Sequence, residues 1–318
     1  MKTPRTDVPA TKPPALRLGD AVAVVAPAGP VSSRAPFHRG VETLERLGFR
    51  VRFDERIFQS LRYLAGSDGE RAGGLVRALE DPSVQAVVAL RGGYGSARIV
   101  PLLDERLRDI RPKVFMGFSD ITTLHLLLLR RGWVAFHGPM VASPALGNLP
   151  EAQARHLLSL WTDPGYLPTL RFAETEAWAA GRGAVEGVLT GGCLSLVAAS
   201  LGTAYEVETE GRVLFLEDVG EPPYRIDRML THLRLAGKLD GVAGILLGRF
   251  HDCEQEGGGY SVTDVVRDAL AGLGVPILAN FPAGHAGDNW TLPLGVRVRL
   301  DATAQMIQLL EPAVADAP

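Results

Sequence analysis

The sequence predicts an α/β protein with an N-terminal, mostly parallel sheet domain and a second, β-rich C-terminal domain. The first observation is a set of short, continuous apolar runs, such as 21–26 and 84–90, which are typical of strands buried on both faces. The second is that segments with helical spacing of apolar residues, 35–48 and 70–79, alternate with these runs. The third is a change after residue 183, where short strands joined by turns become frequent.

The remaining elements follow the same signals along the chain. Strands are predicted at 49–53, 113–116, 133–136, 184–189, 190–192, 212–217, 242–247, 276–279 and 297–300, and helices at 121–129, 151–161, 225–236 and 261–270. We predict four segments from this order: a disordered leader at 1–16, an N-terminal α/β domain at 17–150, a linker at 151–183 and a C-terminal β-rich domain at 184–311. The leader is proline-rich without the apolar core of a signal peptide, and prolines and glycines punctuate the linker.

Length and composition restrict the classes of function. The chain has 318 residues, of which 46% are hydrophobic and 22% charged, as in an ordinary globular protein. A net charge of −3 does not suggest general affinity for nucleic acid or an anionic membrane. Two cysteines are too few for a disulfide scaffold, and no apolar run approaches the length needed to span a bilayer. We therefore expect a soluble, cytoplasmic protein.

One stretch carries the strongest signal for chemistry. The apolar run 113–116 leads into Gly117-Phe118-Ser119-Asp120, and a strongly apolar segment follows, which predicts a strand, a tight turn and a helix. A serine at such a turn lies where nucleophiles are found, with backbone N–H groups of the helix start behind it. The pattern G-x-S-x-G is incomplete, because Ile121 replaces its second glycine. Taken alone, the stretch favours a serine that only caps the helix.

Three other polar stretches also follow apolar strands, at 91–95, 214–218 and 284–288. A serine, an acid and a histidine in this chain order form one of the known orders of a catalytic triad, whose members assemble in space. The glycine-rich stretch 91–95 fits neither the spacing of a phosphate-binding loop nor that of a dinucleotide fingerprint. Residues 251–254 contain possible metal ligands, but adjacent side chains do not easily converge on one ion, and a polar loop is favoured.

With these residues, the sequence resembles the LD-carboxypeptidase family of serine peptidases, which includes the microcin-immunity peptidases. The matching segments follow the family's order between about residues 18 and 302; they are 25–30, 91–95, 117–120, 191–195, 216–218, 224–228 and 284–285. The resemblance implies an N-terminal α/β domain, a C-terminal β-rich domain, a Ser-His-Glu triad and no metal or cofactor. Cys193 stands where the family usually has asparagine, so a nearby hydrogen bond is expected to differ.

By this resemblance, Ser119 is the nucleophile, His285 the general base and Glu217 the group that orients His285. A serine hydroxyl needs an adjacent base, an imidazole titrates near neutrality, and a carboxylate fixes the imidazole tautomer. The negative charge on the reacting oxygen needs backbone donors. We expect them to be the N–H of Asp120, which follows the nucleophile, and the N–H of Gly93 in the glycine-rich loop.

Four further side chains are candidates for binding substrate. The departing residue of a carboxypeptidase substrate carries a free carboxylate, which needs a cation or several N–H donors. Arg91 and Arg225 are the candidate cations, although a salt bridge within the protein explains each of them equally well. Tyr94 lies in the glycine-rich loop, and Trp178 is the aromatic residue of 164–183 that could stack on a nucleotide.

We therefore expect a serine carboxypeptidase that hydrolyses the L,D amide bond and releases terminal D-alanine from murein tetrapeptide in peptidoglycan recycling. The small peptide is the expected partner, without nucleic acid or membrane, and the resemblance implies a homodimer. Two alternatives stay open at this point. One is a microcin-immunity-like amidase that acts on peptidyl or aminoacyl nucleotides, and the other is a two-domain small-molecule binding protein without enzymatic activity.

Overall fold

The computed structural model describes residues 10–178, 183–254 and 259–317 and contains two sheets with their helices. The first part of the chain forms β1 (Ala21–Val25), α1 (Ala35–Arg46), β2 (Arg50–Phe53), α2 (Asp68–Glu80), β3 (Ala86–Ala89), α3 (Ser96–Leu103), β4 (Val114–Gly117), α4 (Thr122–Arg130) and β5 (Ala135–His137). Single 3-10 turns lie at Glu55–Phe58 and Ser119–Ile121.

The rest of the chain continues with helices and the strands of the second sheet. These elements are α5 (Pro144–Gly147), α6 (Glu151–Thr162), β6 (Thr169–Arg171), β7 (Glu176–Trp178), β8 (Ala184–Cys193), α7 (Leu194–Ala199), β9 (Arg212–Val219), α8 (Pro223–Leu235), β10 (Gly244–His251), α9 (Val262–Ala269), β11 (Ile277–Ala279), β12 (Leu292–Leu294), β13 (Arg297–Asp301) and β14 (Met306–Leu309).

The first sheet has the strand order β12-β5-β4-β3-β1-β2. Strands β2, β1, β3, β4 and β5 are parallel, and β12 pairs with β5 in the antiparallel direction. Every residue of β1, β3 and β4 is buried, as the continuous apolar runs predict for strands covered on both faces. Because parallel strands end at the same edge, the turns after β1, β3 and β4 come together there.

The second sheet has the order β6-β14-β13-β8-β9-β10-β11-β7. Its four central strands, β8 to β11, are parallel, and the flanking strands are antiparallel. The predicted fold class is confirmed: a parallel-rich N-terminal sheet and a second sheet in the C-terminal region. Within the described ranges, no helix is both long and apolar enough to cross a membrane.

Helix α4 joins the two halves of the core. Seven of its nine residues, Thr122 to Leu128, are buried, as expected for a helix that is apolar nearly all round. Leu124 and Leu127 pack in the cluster of the first sheet, and Leu126 packs in the cluster of the second. The turn that precedes α4 is therefore held between the two sheets.

The expected disordered leader does not extend through residues 10–16. Leu16 is only 2% exposed, and the Ala15 N–H donates to the Ala315 carbonyl over 2.8 Å. Lys12 also pairs with Glu311 at 2.9 Å. Apolar burial and backbone pairing offset the entropy cost of ordering this segment, which composition alone does not reveal. Residues 1–9 of the predicted leader lie outside the described residues.

The segment 151–178 differs from the linker that its prolines and glycines suggest. Helix α6 buries Leu157, Leu160 and Trp161 in the core. Strands β6 and β7 form the two edges of the second sheet. Prolines and glycines here mark turns between packed elements rather than a free connection. Residues 179–182 of the predicted linker lie outside the described residues.

Candidate active site

Ser119 lies at a sharp turn between β4 and α4. Gly117 ends β4, Phe118 is extended with φ −156°, and Ser119 itself has φ +63°. This left-handed conformation is uncommon for a residue with a side chain and is characteristic of functional turns. A Cβ on Gly117 would lie 2.8 Å from Ile121 Cγ2, so the turn requires glycine at that position. The arrangement is the strand, turn and helix that the sequence predicts for a nucleophile.

The glycine-rich loop after β3 lies directly against Ser119. A Cβ on Gly92 would be 2.8 Å from Ser119 Cβ, 3.0 Å from Oγ and 3.4 Å from the Asp120 nitrogen. Gly93, with φ +102°, follows at once. Glycine at 92 therefore allows the loop backbone to approach the serine and the start of the helix together. This is the place where the two expected backbone donors are needed.

The Asp120 side chain links the Ser119 turn to the end of the glycine-rich loop by a hydrogen bond. It is 1% exposed, and its Oδ2 accepts a hydrogen bond from the Ser96 N–H over 2.8 Å. Burial raises the pKa of this carboxyl, while hydrogen bonds from the Gly95–Ser96 backbone oppose the increase. The side chain is thus structural, and the backbone N–H of Asp120 remains the group of interest beside Ser119.

Glu217 and His285 form a hydrogen-bonded pair between β9 and the loop after β11. Glu217 Oε2 accepts a hydrogen bond from His285 Nδ1 over 2.7 Å, and the Glu217 side chain is fully buried. Its Oε1 has no hydrogen-bond partner among the described residues. A Cβ on Gly284 would lie 2.3 Å from Oε2, so only glycine allows the loop to bring the histidine this close.

The loop that carries His285 has a buried support that the sequence patterns did not single out. Asn289 is 1% exposed, and its Oδ1 accepts a hydrogen bond from the Gly284 N–H over 3.0 Å. An asparagine side chain that bonds a backbone group a few residues away is a usual way to fix a loop. The only sequence signal was its position four residues after the histidine.

Burial and pairing shift the pKa values of both members of this pair. Burial raises the pKa of Glu217, and the hydrogen bond and charge of His285 act against that change. Burial lowers the pKa of His285, but the hydrogen bond and charge of Glu217 outweigh it, and the net pKa of the imidazole is raised. The raised pKa of Glu217 favours a neutral carboxyl, whereas the raised pKa of His285 favours a charged imidazolium. The 2.7 Å contact supports an ionised carboxylate facing Nδ1–H, because an acceptor oxygen suits that nitrogen. Nε2 is then the nitrogen that can take a proton.

Ser119 and His285 line one cavity of about 260 Å³. The Phe118 ring packs edge-to-face on the His285 ring, with centroids 4.9 Å apart, and so limits the position of the imidazole. The other described lining residues come from the turn after β1, the glycine-rich loop and the segment after β5; they are Val31, Ser32, Ser33, Pro36, Arg91, Gly92, Gly93, Met140, Ala142 and Ser143. The structure thus brings Ser119, His285, Gly93 and Arg91 together.

Two predicted substrate-binding residues lie elsewhere. Arg225 is exposed on α8, where it contacts the Tyr224 hydroxyl and pairs with Glu221 at 3.5 Å. Trp178 is 7% exposed, pairs through β7 with β11, and has the Arg267 guanidinium 4.9 Å from its ring. Neither is among the described residues that line the Ser119 cavity. Trp178 lies on the edge strand β7, and its ring packs into the core of the second sheet. This tertiary packing keeps the ring out of the cavity lining.

Cys193 is buried beside the acidic end of β9. Its Sγ lies 3.4 Å from Asp218 Oδ1 and 3.3 Å from Ser195 Oγ, and its backbone N–H donates to Thr122 Oγ1 over 3.1 Å. Burial, followed by the charges of Glu217 and Asp218, raises the thiol pKa well above its usual value. The thiol therefore stays protonated and fills a structural position next to the Glu217 strand.

Two histidines behind the site are core residues. His125 and His137 are fully buried, with no hydrogen-bond partner for any ring nitrogen among the described residues. Burial lowers the pKa of His125 to about 3 and that of His137 well below its usual value, so both rings are neutral. His137 packs edge-to-face on Phe215 with centroids 4.9 Å apart.

Comparisons with known proteins agree with this architecture. The model of the LD-carboxypeptidase N-terminal domain matches residues 22–138, and that of the C-terminal domain matches residues 186–300. A probable murein peptide carboxypeptidase of Bacillus subtilis is 35% identical over 309 residues, which cover 96% of each chain. The solved structure of a muramoyltetrapeptide carboxypeptidase from Oxalobacter formigenes is 32% identical, with a TM-score of 0.78 and coverage of 91% of this chain and 97% of the other.

A third relative carries a different name. The microcin C7 self-immunity protein MccF of Escherichia coli is 26% identical over 327 residues, which cover 93% of this chain and 94% of that protein. A solved structure of MccF has a TM-score of 0.88 at 24% identity and covers 96% of this chain and 99% of that one, which shows the shared fold. The two domain matches and the extent of identity lead to one conclusion: this chain belongs to the LD-carboxypeptidase family.

Proposed function

We propose that this protein is a serine carboxypeptidase that releases a terminal D-alanine from murein tetrapeptide by hydrolysing an L,D amide bond. One observation carries the proposal: Ser119, on a left-handed turn, and His285, held by buried Glu217, line the same cavity. The names of the Bacillus and Oxalobacter relatives support a murein peptide as the substrate. A free tetrapeptide and a muramoyl tetrapeptide present the same terminal amide bond to Ser119.

The chemistry follows from the positions of these groups. Ser119 Oγ attacks the carbonyl carbon of the terminal amide while His285 Nε2 takes the hydroxyl proton. Glu217 holds Nδ1–H and stabilises the imidazolium. The backbone N–H groups of Gly93 and Asp120 bind the oxyanion, and His285 then gives its proton to the departing amine. A water molecule, activated by the same imidazole, hydrolyses the acyl-enzyme and returns Ser119.

The assay that tests this function uses purified protein with two substrates, a murein tetrapeptide and an aminoacyl nucleotide joined by an amide. We expect release of D-alanine from the peptide and little cleavage of the nucleotide conjugate. Trp178, the residue expected to stack on a nucleotide, is buried away from the cavity, which favours the peptide. Preferred cleavage of the nucleotide conjugate would support the immunity-type amidase, and binding without turnover of either would support a binding protein.

We further propose that Arg91 holds the terminal carboxylate of the substrate. Arg91 lines the Ser119 cavity, and its Nη1 donates to the Pro30 carbonyl over 2.9 Å, which fixes the guanidinium at the cavity wall. Arg91→Ala should reduce the preference for the free acid over the C-terminal amide by about 1.5–3 kcal/mol, the value of a hydrogen bond to a charged group. The measurement is kcat/KM for both peptides.

Arg225→Ala is the matched control for this experiment, because Arg225 is exposed and paired with Glu221. It should keep the full preference for the free acid. If Arg91→Ala also keeps that preference, other groups, such as backbone amides, hold the carboxylate. A loss of preference in Arg225→Ala alone would assign the role to α8 instead.

We expect the reaction to proceed without a metal ion. Among the described residues, no group of three or more His, Cys, Asp or Glu side chains is placed to hold a metal. His251, the histidine of the polar loop noted in the sequence, pairs with the adjacent Asp252 at 3.4 Å. Incubation with EDTA followed by removal of the chelator should leave D-alanine release unchanged. Activity that falls with EDTA and returns with zinc would contradict a serine mechanism.

We also propose that the protein acts in the cytoplasm and as a homodimer, both by analogy with the family. The two cysteines, Cys193 and Cys253, are free and buried, which is compatible with a reducing compartment. Analytical ultracentrifugation at several concentrations measures the assembly, and fractionation of the source cells measures the location. A monomer at micromolar concentration would contradict the proposed dimer.

A further inference from the structure

The catalytic groups of the proposed mechanism come from different sheets. Ser119 follows β4 of the first sheet, whereas Glu217 lies on β9 and His285 follows β11 of the second. Transfer of the serine proton needs a fixed distance and angle between hydroxyl and imidazole, and a displacement of about 1 Å can cost on the order of 100-fold in rate. Contacts between the two halves of the molecule beside Ser119 therefore control the alignment of these groups.

Two residues that flank Ser119 make such contacts. On the N-terminal side, the Phe118 ring packs on the His285 ring. On the C-terminal side, Thr122 is the first residue of α4 and is fully buried. The Thr122 backbone N–H donates to the Ser119 carbonyl, so the position of Thr122 is tied to that of the nucleophile. The side chain of Thr122 makes the second contact.

The Thr122 hydroxyl binds the end of β8. Its Oγ1 accepts a hydrogen bond from the Cys193 N–H over 3.1 Å, and Cys193 is only 2% exposed. A Cβ on Gly192 would lie 2.6 Å from Oγ1 and 2.8 Å from Cγ2 of Thr122, so this close approach requires glycine. A buried backbone N–H without a partner is costly. The Thr122 hydroxyl is the group that satisfies the Cys193 donor.

The same end of β8 is joined to the strand that carries the acid. Cys193 and Glu217 are partners in the parallel register of β8 and β9. Asp218, the next residue of β9, is 2% exposed, and its Oδ2 accepts a hydrogen bond from the Ser195 N–H over 2.7 Å. Asp218 Oδ1 also lies 3.4 Å from Cys193 Sγ. A group that is bound to Cys193 is therefore held relative to Glu217 as well.

A continuous path thus joins the nucleophile to the acid. It runs from the Ser119 carbonyl through the backbone and hydroxyl of Thr122 to Cys193, and then across the β8–β9 pair to Glu217. The Thr122 hydroxyl is the link of this path between the first part of the chain and the second sheet. Threonine offers an acceptor at this point, whereas valine has a similar shape without one.

We propose that Thr122 is a positioning residue, whose hydroxyl sets the place of Ser119 relative to the Glu217–His285 pair. The inference rests on the proposed function, because it takes Ser119 as the nucleophile and His285 as the base. Thr122 is not among the described residues that line the Ser119 cavity. Its effect should therefore appear in kcat, which depends on alignment, rather than in KM.

The test compares Thr122→Val, which replaces the hydroxyl by a methyl group, with Thr122→Ser, which keeps the hydroxyl. In assays of D-alanine release, Thr122→Val should lower kcat about 10- to 100-fold with little change in KM, whereas Thr122→Ser should stay within about threefold of the wild type. Thr122→Ala, which adds no atom near Gly192, repeats the comparison if the valine variant does not fold. Thr123→Val makes the same change at the next buried position and should behave as the wild type.

Crystal structures of the wild type and the variants separate this inference from the proposed function, because they need no turnover. The distance between Ser119 Oγ and His285 Nε2 should increase by about 0.5 Å or more in Thr122→Val and Thr122→Ala and stay unchanged in Thr122→Ser. If the wild type releases no D-alanine, the proposed function fails, and these distances still decide the role of Thr122.

Three results would overturn the positioning role. The first is an unchanged distance and a normal kcat in Thr122→Val and Thr122→Ala, even with a lower melting temperature, since the hydroxyl would then serve only the fold. The second is an equal loss in Thr122→Ser, which would show that the methyl group matters rather than the hydroxyl. The third is an equal loss in Thr123→Val, which would assign the effect to general packing of α4.

Discussion

Ser119→Ala should abolish release of D-alanine while the fold survives. The hydroxyl is the attacking group, and the residual activity of triad enzymes without their nucleophile is very low, so kcat should fall by on the order of 10⁴-fold or more. Alanine is smaller than serine and adds no atom to the close contact with Gly92, so the turn is retained. The measurement is D-alanine release, together with a melting curve and a circular dichroism spectrum.

Ser159→Ala on helix α6, away from the cavity, is the matched control and should keep normal activity. Near-normal hydrolysis by the Ser119→Ala protein would contradict the assignment of the nucleophile. A melting temperature well below that of the wild type would show that the loss is structural rather than catalytic. Tight binding of the intact tetrapeptide by the inactive variant would confirm that the cavity is preserved.

Glu217→Gln should have the second-largest effect, with a loss of kcat of about 10⁴-fold, the loss seen when the acid of a serine protease triad is made neutral. The change is nearly isosteric. A glutamine amide can donate to Nδ1, which would place the ring proton on Nε2, and Nε2 could then no longer take the Ser119 proton. The melting temperature should fall only modestly, because the buried position keeps its volume. Glu221→Gln, a nearby carboxylate paired with Arg225, is the control and should retain activity.

The pH dependence of kcat/KM tests the same pair independently. The base must be unprotonated, so activity falls as pH falls through the pKa of His285. Glu217 raises that pKa, which places the acidic limb above the usual value for histidine. In Glu217→Gln the burial effect remains and the raising effect is lost, so the acidic limb of the residual activity should move to lower pH. An unchanged acidic limb would mean that another group, and not His285, sets it.

Local patterns predicted the strand, turn and helix around Ser119, because continuous apolar runs, a glycine stop and helical spacing are properties of a few neighbouring residues. The same is true of the glycine-rich loop, in which Gly92 proves necessary for the contact with Ser119. The predicted boundaries of the leader and of the two domains were less accurate. Residues 10–16 pack against the C-terminal segment, and β12 returns to the first sheet, since pairing between distant segments leaves no periodic signal in either of them.

The amino-acid sequence was sufficient to indicate the family, the two-sheet α/β class and the residue types of a hydrolytic site. Which side chains come into contact became clear from the folded chain. In the structure, Glu217 pairs with His285, and Tyr63 lies beside Tyr94. Arg91, and not Arg225, lines the Ser119 cavity. Trp178, an aromatic residue in a segment rich in turns, was buried by the packing of an edge strand. The physical reason is that hydrophobic periodicity is local, whereas the contacts of polar and aromatic side chains depend on how sheet edges and loops pack.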